Sequence, residues 1–451
     1  MPSTPAKIAA ALAFLACLVA VQTAQAWSNH ALLTWPALSV MPELRAVPNL
    51  KVETLADFIA AQPAELAKLL QDEEAWARTH VPHYPARPDA LTFRAKQADV
   101  PHFLAALRVA PQVKLALYLQ LPPGAALNGR TVLAESDVTT LKTSEGSKSN
   151  VFVALRAGET VPVIDVLASA VDEPDYGLDI GLWADNGTPF GKAYGFGNQP
   201  FGNPAIEWSS QAPFHMGFFH ESAIVYKAAS YLQRSYPEYR IHLWRSLAAF
   251  ALAHGHAYWG WRFAGWGLHY LQDLTQPYHS RVLPGVGLTR MLGINALDVI
   301  GVHGPKDRMV QLVTNRHSVL EEFERHWMLR SGSNDPGSKA LQDTSLDHRD
   351  GRYADDWPRR VVSARARQAA DAIDAALAES MPPLYVDDPS YVFGVTQPGI
   401  DPYAELAAAS PAKLAALQQA IVPLLRDLGA LSRAYVRSLL PVKASDKADS
   451  H

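Results

Sequence analysis

From about residue 218 to residue 439 the apolar side chains recur at helical spacing, and this limits the fold more than any other feature. The stretches 219–234, 240–275, 305–329, 358–380 and 411–439 each gather apolar residues on one face of a 3.6-residue turn. An earlier stretch, 53–71, does the same through Leu55, Phe58, Ile59 and Leu66, interrupted at Pro63. β-type composition is confined to 151–154 and 161–166, which suit a small hairpin. Gly, Ser, Thr, Asn and Pro mark 124–150 and 186–205 as long loops. There is no internal repeat and no clean linker. The pattern predicts an all-α fold: a single large helical domain over 27–440. It would carry a long N-terminal insertion at about 120–180, with room for the small β-hairpin, and a disordered tail over 441–451.

Residues 1–26 read as a secretory signal peptide. Lys7 supplies the positive charge, Ile8 to Val21 the apolar stretch, and Ala24-Gln25-Ala26 the cleavage site. The apolar stretch is short for a spanning helix. The expected product is a secreted protein with no transmembrane segment, beginning at Trp27. Cleavage would also remove Cys17, the only cysteine. The exported chain then has no disulfide, so its stability rests on a large core, on bound metal, or on both. Any zinc site must be built from His, Asp, Glu and backbone groups. Lys plus Arg is 40 against 44 Asp plus Glu, a formal net charge of -4, which excludes a broad basic surface gripping nucleic acid by charge alone. Apolar residues at 48% and charged residues at 19% exclude a mainly disordered chain.

The stretch richest in chemistry runs from His269 to His279 and reads HYLQDLTQPYH. His269 and Asp273 are four apart, so a helix stacks them on one face, where an imidazole and a carboxylate can share a cation such as zinc. Pro277 turns the chain before His279. A second pair at the same spacing, His317 and Glu321, lies on a later predicted helix. A single His/acid pair is usually a surface ion pair or a cap. Two pairs with a Gln-Pro-x-His turn between them point to a metal centre. Trp259, Trp261 and Trp266 precede His269 and are read first as core. His254 and His256 are read as surface or helix-packing residues.

These segments resemble the signature of the zinc-dependent bacterial phospholipase C and single-strand-specific nuclease superfamily, in which H-Y-L-x-D-x-x-Q-P-x-H is followed by an H-S-x-x-[E/D] pair. The likeness is dense over 267–321 and sparse before it. It implies three zinc ions. One would take Asp185 (in Trp183-Ala184-Asp185), His215, His269 and Asp273, with His220 the alternative to His215. A second would take Trp27 through its free amine and carbonyl, His30 and a shared Asp273. The third would take His279, His317 and Glu321. Asp185 is either a ligand or the general base.

The implied activity is that of a secreted phospholipase C. It would cleave glycerophospholipids such as phosphatidylcholine at a membrane surface, as a monomer, by zinc-activated hydroxide, without preference for nucleic acid. The phospholipase-like Glu at position 321 favours this branch. A zinc-dependent single-strand nuclease or 3′-nucleotidase, and a non-catalytic zinc-binding secreted protein, are the alternatives.

Overall fold

The computed structural model describes residues 29–141 and 150–441. Helix accounts for 58% and strand for 3%, so the molecule is mostly helical, as its periodicity predicts. The helices that matter for the site are α1 (His30–Ser39), α2 (Pro63–His80), α3 (Val163–Ala170), α4 (Pro237–Ala253), α5 (Ala257–Asp273), α6 (Leu288–Val299), α7 (Gly304–Arg330), α8 (Ala364–Ser380) and α9 (Pro411–Arg437).

Their ends follow local chemistry. The Asn29 side chain caps α1 by accepting from the Leu32 amide. Ser410 caps α9 by accepting from the Lys413 amide. Pro63 separates α2 from the short helix Leu55–Ala61, where the sequence marked an interruption. The expected single helix over 240–275 is two helices. Gly255 adopts φ +85 between α4 and α5, a left-handed turn that suits glycine.

Two apolar clusters form the interior. One is built on α4 and α5, with Trp244, Trp259, Phe263 and Trp266 packed against Val166 and Leu167 of α3. The other joins Phe323 and Trp327 of α7 to Ile373 and Leu377 of α8 and to Ile421, Leu425 and Leu428 of α9. Helix α1 bridges them, giving Ala31 and Leu38 to the first and Leu33 and Ala37 to the second. Each large apolar side chain buried this way contributes about 1.5–3 kcal/mol. Trp259, Trp261 and Trp266 are all buried core residues. Helix α9 is long and apolar enough to cross a membrane by length and composition alone. Its apolar stripe lies inside the second cluster, so it serves here as a core helix.

The expected hairpin does not form. Strand β1 (Leu50–Lys51) pairs with β4 (Thr160–Val161), and β2 (Tyr118–Leu121) pairs with β3 (Val151–Ala154), both antiparallel. Pro162 ends the second β-rich run, and Val163 and Ile164 open α3 instead of continuing a strand. Part of the stretch expected as an insertion at about 120–180 lies in the core. Helix α3 packs on α5 and α1, and the segment behind it is buried at the centre of the molecule. The expected leader over 1–26, Trp27 and the residues from 442 onward lie outside the described residues.

Candidate metal centre

The centre sits where the two apolar clusters meet. Helix α5 presents His269 and Asp273 inward from successive turns, both fully buried. Gly265 makes room for this. A Cβ there would lie 2.6 Å from Ala170 Cβ and 3.0 Å from the Leu167 carbonyl, so α3 can approach α5 closely. The Val171 carbonyl, just past the end of α3, then accepts from His269 Nδ1 at 2.8 Å. The turn that follows, Glu173–Tyr176, brings in Asp175.

Asp273 is the hub. Its Oδ2 lies 2.9 Å from His215 Nδ1 and 3.3 Å from His269 Nε2, and its Oδ1 lies 3.4 Å from His30 Nε2. Asp175 Oδ1 is 3.7 Å from both His215 Nδ1 and His269 Nε2. A second group is built across the Pro277 turn. His279 Nε2 faces His317 Nε2 at 3.1 Å, and Glu321 Oε1 lies 2.5 Å from His317 Nε2. Gln276, just before Pro277, donates to Glu321 at 3.1 Å. Tyr278 stacks on the His317 ring and donates to Asp374.

Apart from that of His317, the outer face of each ring is set by the fold. His30 Nδ1 pairs with the Gln272 carbonyl oxygen, and the Gln272 amide in turn donates to Thr34 and Ser432. His279 Nδ1 donates to the His215 carbonyl. His215 Nε2 faces Asp179, which is held by Arg240 and Tyr270. With their outer nitrogens so engaged, the rings aim their remaining nitrogens inward, which is how metal-binding histidines are oriented.

These residues fit a cation. His269 Nε2 and His215 Nδ1 lie 3.0 Å apart, and the His279–His317 contact repeats the arrangement. Two lone pairs converging at such distances need a shared proton or a metal between them. Three inward atoms, His30 Nε2 and both oxygens of Asp273, are buried without a hydrogen bond among the described residues. Three buried sets have donor atoms close enough to hold an ion: His30, Asp175 and His269; His215, His269 and Asp273; and His279, His317 and Glu321. All donors are nitrogen or oxygen, a set that suits zinc.

The electrostatics agree with a site built for positive charge. Burial opposes protonation of His30 and His215, yet the surrounding carboxylates, Asp273 foremost, push them up to about 9 and about 10. Burial holds His317 down at about 3 and His269 well below its usual range. Burial raises Asp175 to about 8 and Glu321 to about 7. Asp273 stays well below the ordinary carboxylate range because its histidine neighbours outweigh its burial.

Of the residues singled out from sequence, His30, His215, His269, Asp273, His279, His317 and Glu321 converge here. His220 does not. Its Nε2 meets the Arg359 carbonyl, so His215 is the one of the two at the centre. Asp185 is the correction. It is exposed on a loop and accepts from the Gln199 amide. The carboxylate position expected of it is filled by Asp175, from the segment read as an insertion. Asp172, Asp175 and Asp179 stand three and four residues apart behind a helical apolar run. That spacing was a signal, masked by the Trp-Ala-Asp triplet downstream.

A groove of about 670 Å³ opens onto this centre at Asp175, His215, His279 and His317. Its walls are largely apolar and aromatic, including Phe201, Ile206, Trp208, Phe218, Leu283 and Val313. Comparison with known protein families, characterised proteins and solved structures returns no match.

Proposed function

We propose that this chain is a zinc-dependent phosphodiesterase of the phospholipase C type, cleaving glycerophospholipids to diacylglycerol and a phosphorylated head group. The observation that carries the reading is the groove: an apolar channel ending on a cluster of inward-aimed imidazoles and carboxylates. A phosphodiester with apolar substituents needs both parts. The histidine nitrogens and the carboxylates Asp175, Asp273 and Glu321 would hold the metal ions. Zinc held there would supply positive charge for phosphate oxygens and lower the pKa of a water nucleophile.

The chain's own residues do the positioning. Gln276 and Tyr278 fix the second group, while Gln272, Asp179 and the Val171 carbonyl fix the first. The apolar walls take the substituent next to the phosphate and keep water from it. The tryptophan and phenylalanine rings of the groove could also stack a nucleobase, so a nuclease or 3′-nucleotidase is the competing outcome.

The test offers zinc-loaded exported protein phosphatidylcholine vesicles and single-stranded nucleic acid, each with and without chelator. Chelator-sensitive release of phosphocholine is the expected result. Nucleotide release in its place moves the assignment to a nuclease. Silence on both, with zinc bound, leaves a binding protein.

A further inference from the structure

Beside the mouth of the groove the chain leaves the core. None of the 12 residues of α6 is buried, although the helix carries Leu288, Met291, Leu292, Ile294, Leu297 and Val299. At its end Val299 and Ile300 are 78% and 73% exposed, ahead of a left-handed turn at Gly301. Val302 and Val310 are exposed on the way into and along α7, as are Ile224 and Tyr231 on the neighbouring segment. Helix α6 touches both α7 and the short helix Ala223–Ala228, so these side chains share one region. Eight of the twelve most exposed large apolar side chains among the described residues fall between 224 and 310, so they are a patch and not a scatter. Tyr231 and Val310 also line the groove, which makes the patch continuous with its mouth.

The charges of the patch select its partner. Lys227, Arg290 and Arg308 have no carboxylate partner among the described residues, Asp298 is already engaged by His303 and Lys306, and exposed Asp307 offsets one of the three free cations, which leaves them in excess. The patch is therefore locally basic on a chain of net charge -4. A second copy docking through the same patch would set these cations against each other. An anionic bilayer surface accepts both the apolar tips and the free cations.

We infer that α6 and the Val299–Val302 tip, with Ile224 and Tyr231, dock on an anionic phospholipid bilayer and bring the groove mouth against it. The catalytic use of this docking rests on the proposed lipid hydrolysis; the docking itself does not.

Exported protein is sedimented with vesicles of phosphatidylcholine alone, and of phosphatidylcholine with phosphatidylglycerol at three to one. The expected result is tighter binding to the mixed vesicles, weakened by salt. Val299→Asp with Ile300→Asp should lower partitioning by about tenfold or more. Arg290→Glu with Arg308→Glu should abolish the preference for anionic lipid. Both substituted pairs are solvent-exposed or free of ion pairs, so thermal unfolding should be unchanged. Hydrolysis of a soluble short-chain phospholipid should be unchanged as well.

The inference is overturned if wild-type protein fails to sediment, or if the Val299/Ile300 variant sediments as well as wild type. It is equally overturned if wild type is a dimer that this variant disperses. If vesicles bind in the predicted way but no phospholipid is cleaved, the docking stands and the hydrolase reading falls. If phospholipid is cleaved equally well by wild type and variant in vesicles, the placement of the groove mouth against the bilayer falls and the hydrolase reading stands.

Discussion

Asp179 Oδ2 lies 3.6 Å from His215 Nε2, while its other oxygen accepts from Arg240 at 2.6 Å. Tyr270 donates to the same carboxylate, and Arg240 also binds the Leu107 and Arg108 carbonyls. Asp179 is fully buried and held below its usual pKa; the Arg240 and His215 charges outweigh the burial that would raise it. It is a positioning residue that turns Nδ1 of His215 toward Asp273. Asp179→Asn keeps the shape and removes the charge, so metal affinity should fall by about 10- to 100-fold. A competitive chelator titration reads this directly. Asp179→Leu should instead cost about 3–5 kcal/mol of stability, because it strands the buried Arg240 guanidinium. Unchanged zinc affinity in a folded Asp179→Asn protein would show that the contact orients nothing.

The exchange of Asp185 for Asp175 is open to a paired test. Asp175 faces two ring nitrogens of the centre and borders the groove, whereas Asp185 is exposed and, among the described residues, bonded only to a loop amide. Asp175→Ala should lower bound zinc and reduce turnover at least tenfold. Asp185→Ala should leave both within experimental scatter. The opposite pattern, read by metal analysis of the two purified variants, would restore the reading made from sequence.

The part of this centre that could be read from sequence is the part held on long helices. His269 with Asp273, and His317 with Glu321, have the i, i+4 spacing that a helix converts directly into a shared face. Gln276 and Pro277 announce the turn between them. The acids on the 172–179 turn, although spaced three and four apart, are not on a long helix and have no histidine at i, i+4 to mark them. What brings them in is the close approach of α3 to α5, allowed by Gly265 and invisible in a one-dimensional pattern. The two β-rich runs misled for a related reason. Strand pairing is decided by partners far along the chain, here Leu50–Lys51 and Tyr118–Leu121, and not by the nearest similar run. Pro162 was the local hint that the second run stops.

Metal uptake should release protons. Without metal, His30 and His215 are pushed up to about 9 and about 10, so both rings carry a proton at pH 7. Each must lose it before the nitrogen can bind zinc. Titration calorimetry at pH 7, in buffers of different ionisation enthalpy, should therefore show net proton release. Zinc affinity should rise with pH up to about 9. Affinity independent of pH between 6 and 9 would contradict the charged state assigned to these rings.

The same groups set the stability of the metal-free protein. Histidines raised on folding stabilise it fully below their unfolded pKa of about 6.5, and that contribution is lost as pH climbs through their folded values. Asp175, raised to about 8, acts in the same direction, since the folded state favours its protonated form. In the presence of chelator the melting temperature should fall between about pH 7 and pH 9, above the range where the lowered His269 and His317 act in the opposite sense. Saturating zinc should flatten or reverse the trend. Differential scanning fluorimetry across that range is sufficient, and a chelated protein that gains stability with pH would refute the assignment.

Gly265 tests the helix approach itself. A leucine there would overlap Ala170 Cβ and crowd the Leu167 carbonyl, neither of which is a flexible side-chain tip. Gly265→Leu should push α3 from α5 and destabilise the fold by about 1–3 kcal/mol or more. The displacement would also draw the Val171 carbonyl off His269 Nδ1. Loss of zinc should therefore exceed what the stability change alone explains. Gly255→Ala, at the exposed turn between α4 and α5 where a Cβ meets no neighbour, is the control. It should cost only the strain of its φ of +85 and leave zinc binding intact.

The expected amino terminus is the last element to test. His30 opens α1, and its Nε2 sits 3.4 Å from Asp273 Oδ1. Trp27 is three residues upstream, a reach of about 10 Å for an extended segment. A cut after Ala26 would thus free an α-amine within range of the centre, next to a histidine whose anionic neighbours are Asp273, Asp175 and Asp172. One extra residue before Trp27 removes that amine from position without altering any side chain. Such a protein should fold, keep the His279–His317–Glu321 set loaded and lose one zinc equivalent relative to the protein beginning at Trp27. Mass spectrometry under native conditions counts the metal directly. Equal zinc content in the two proteins would mean that His30 completes its set with side chains alone.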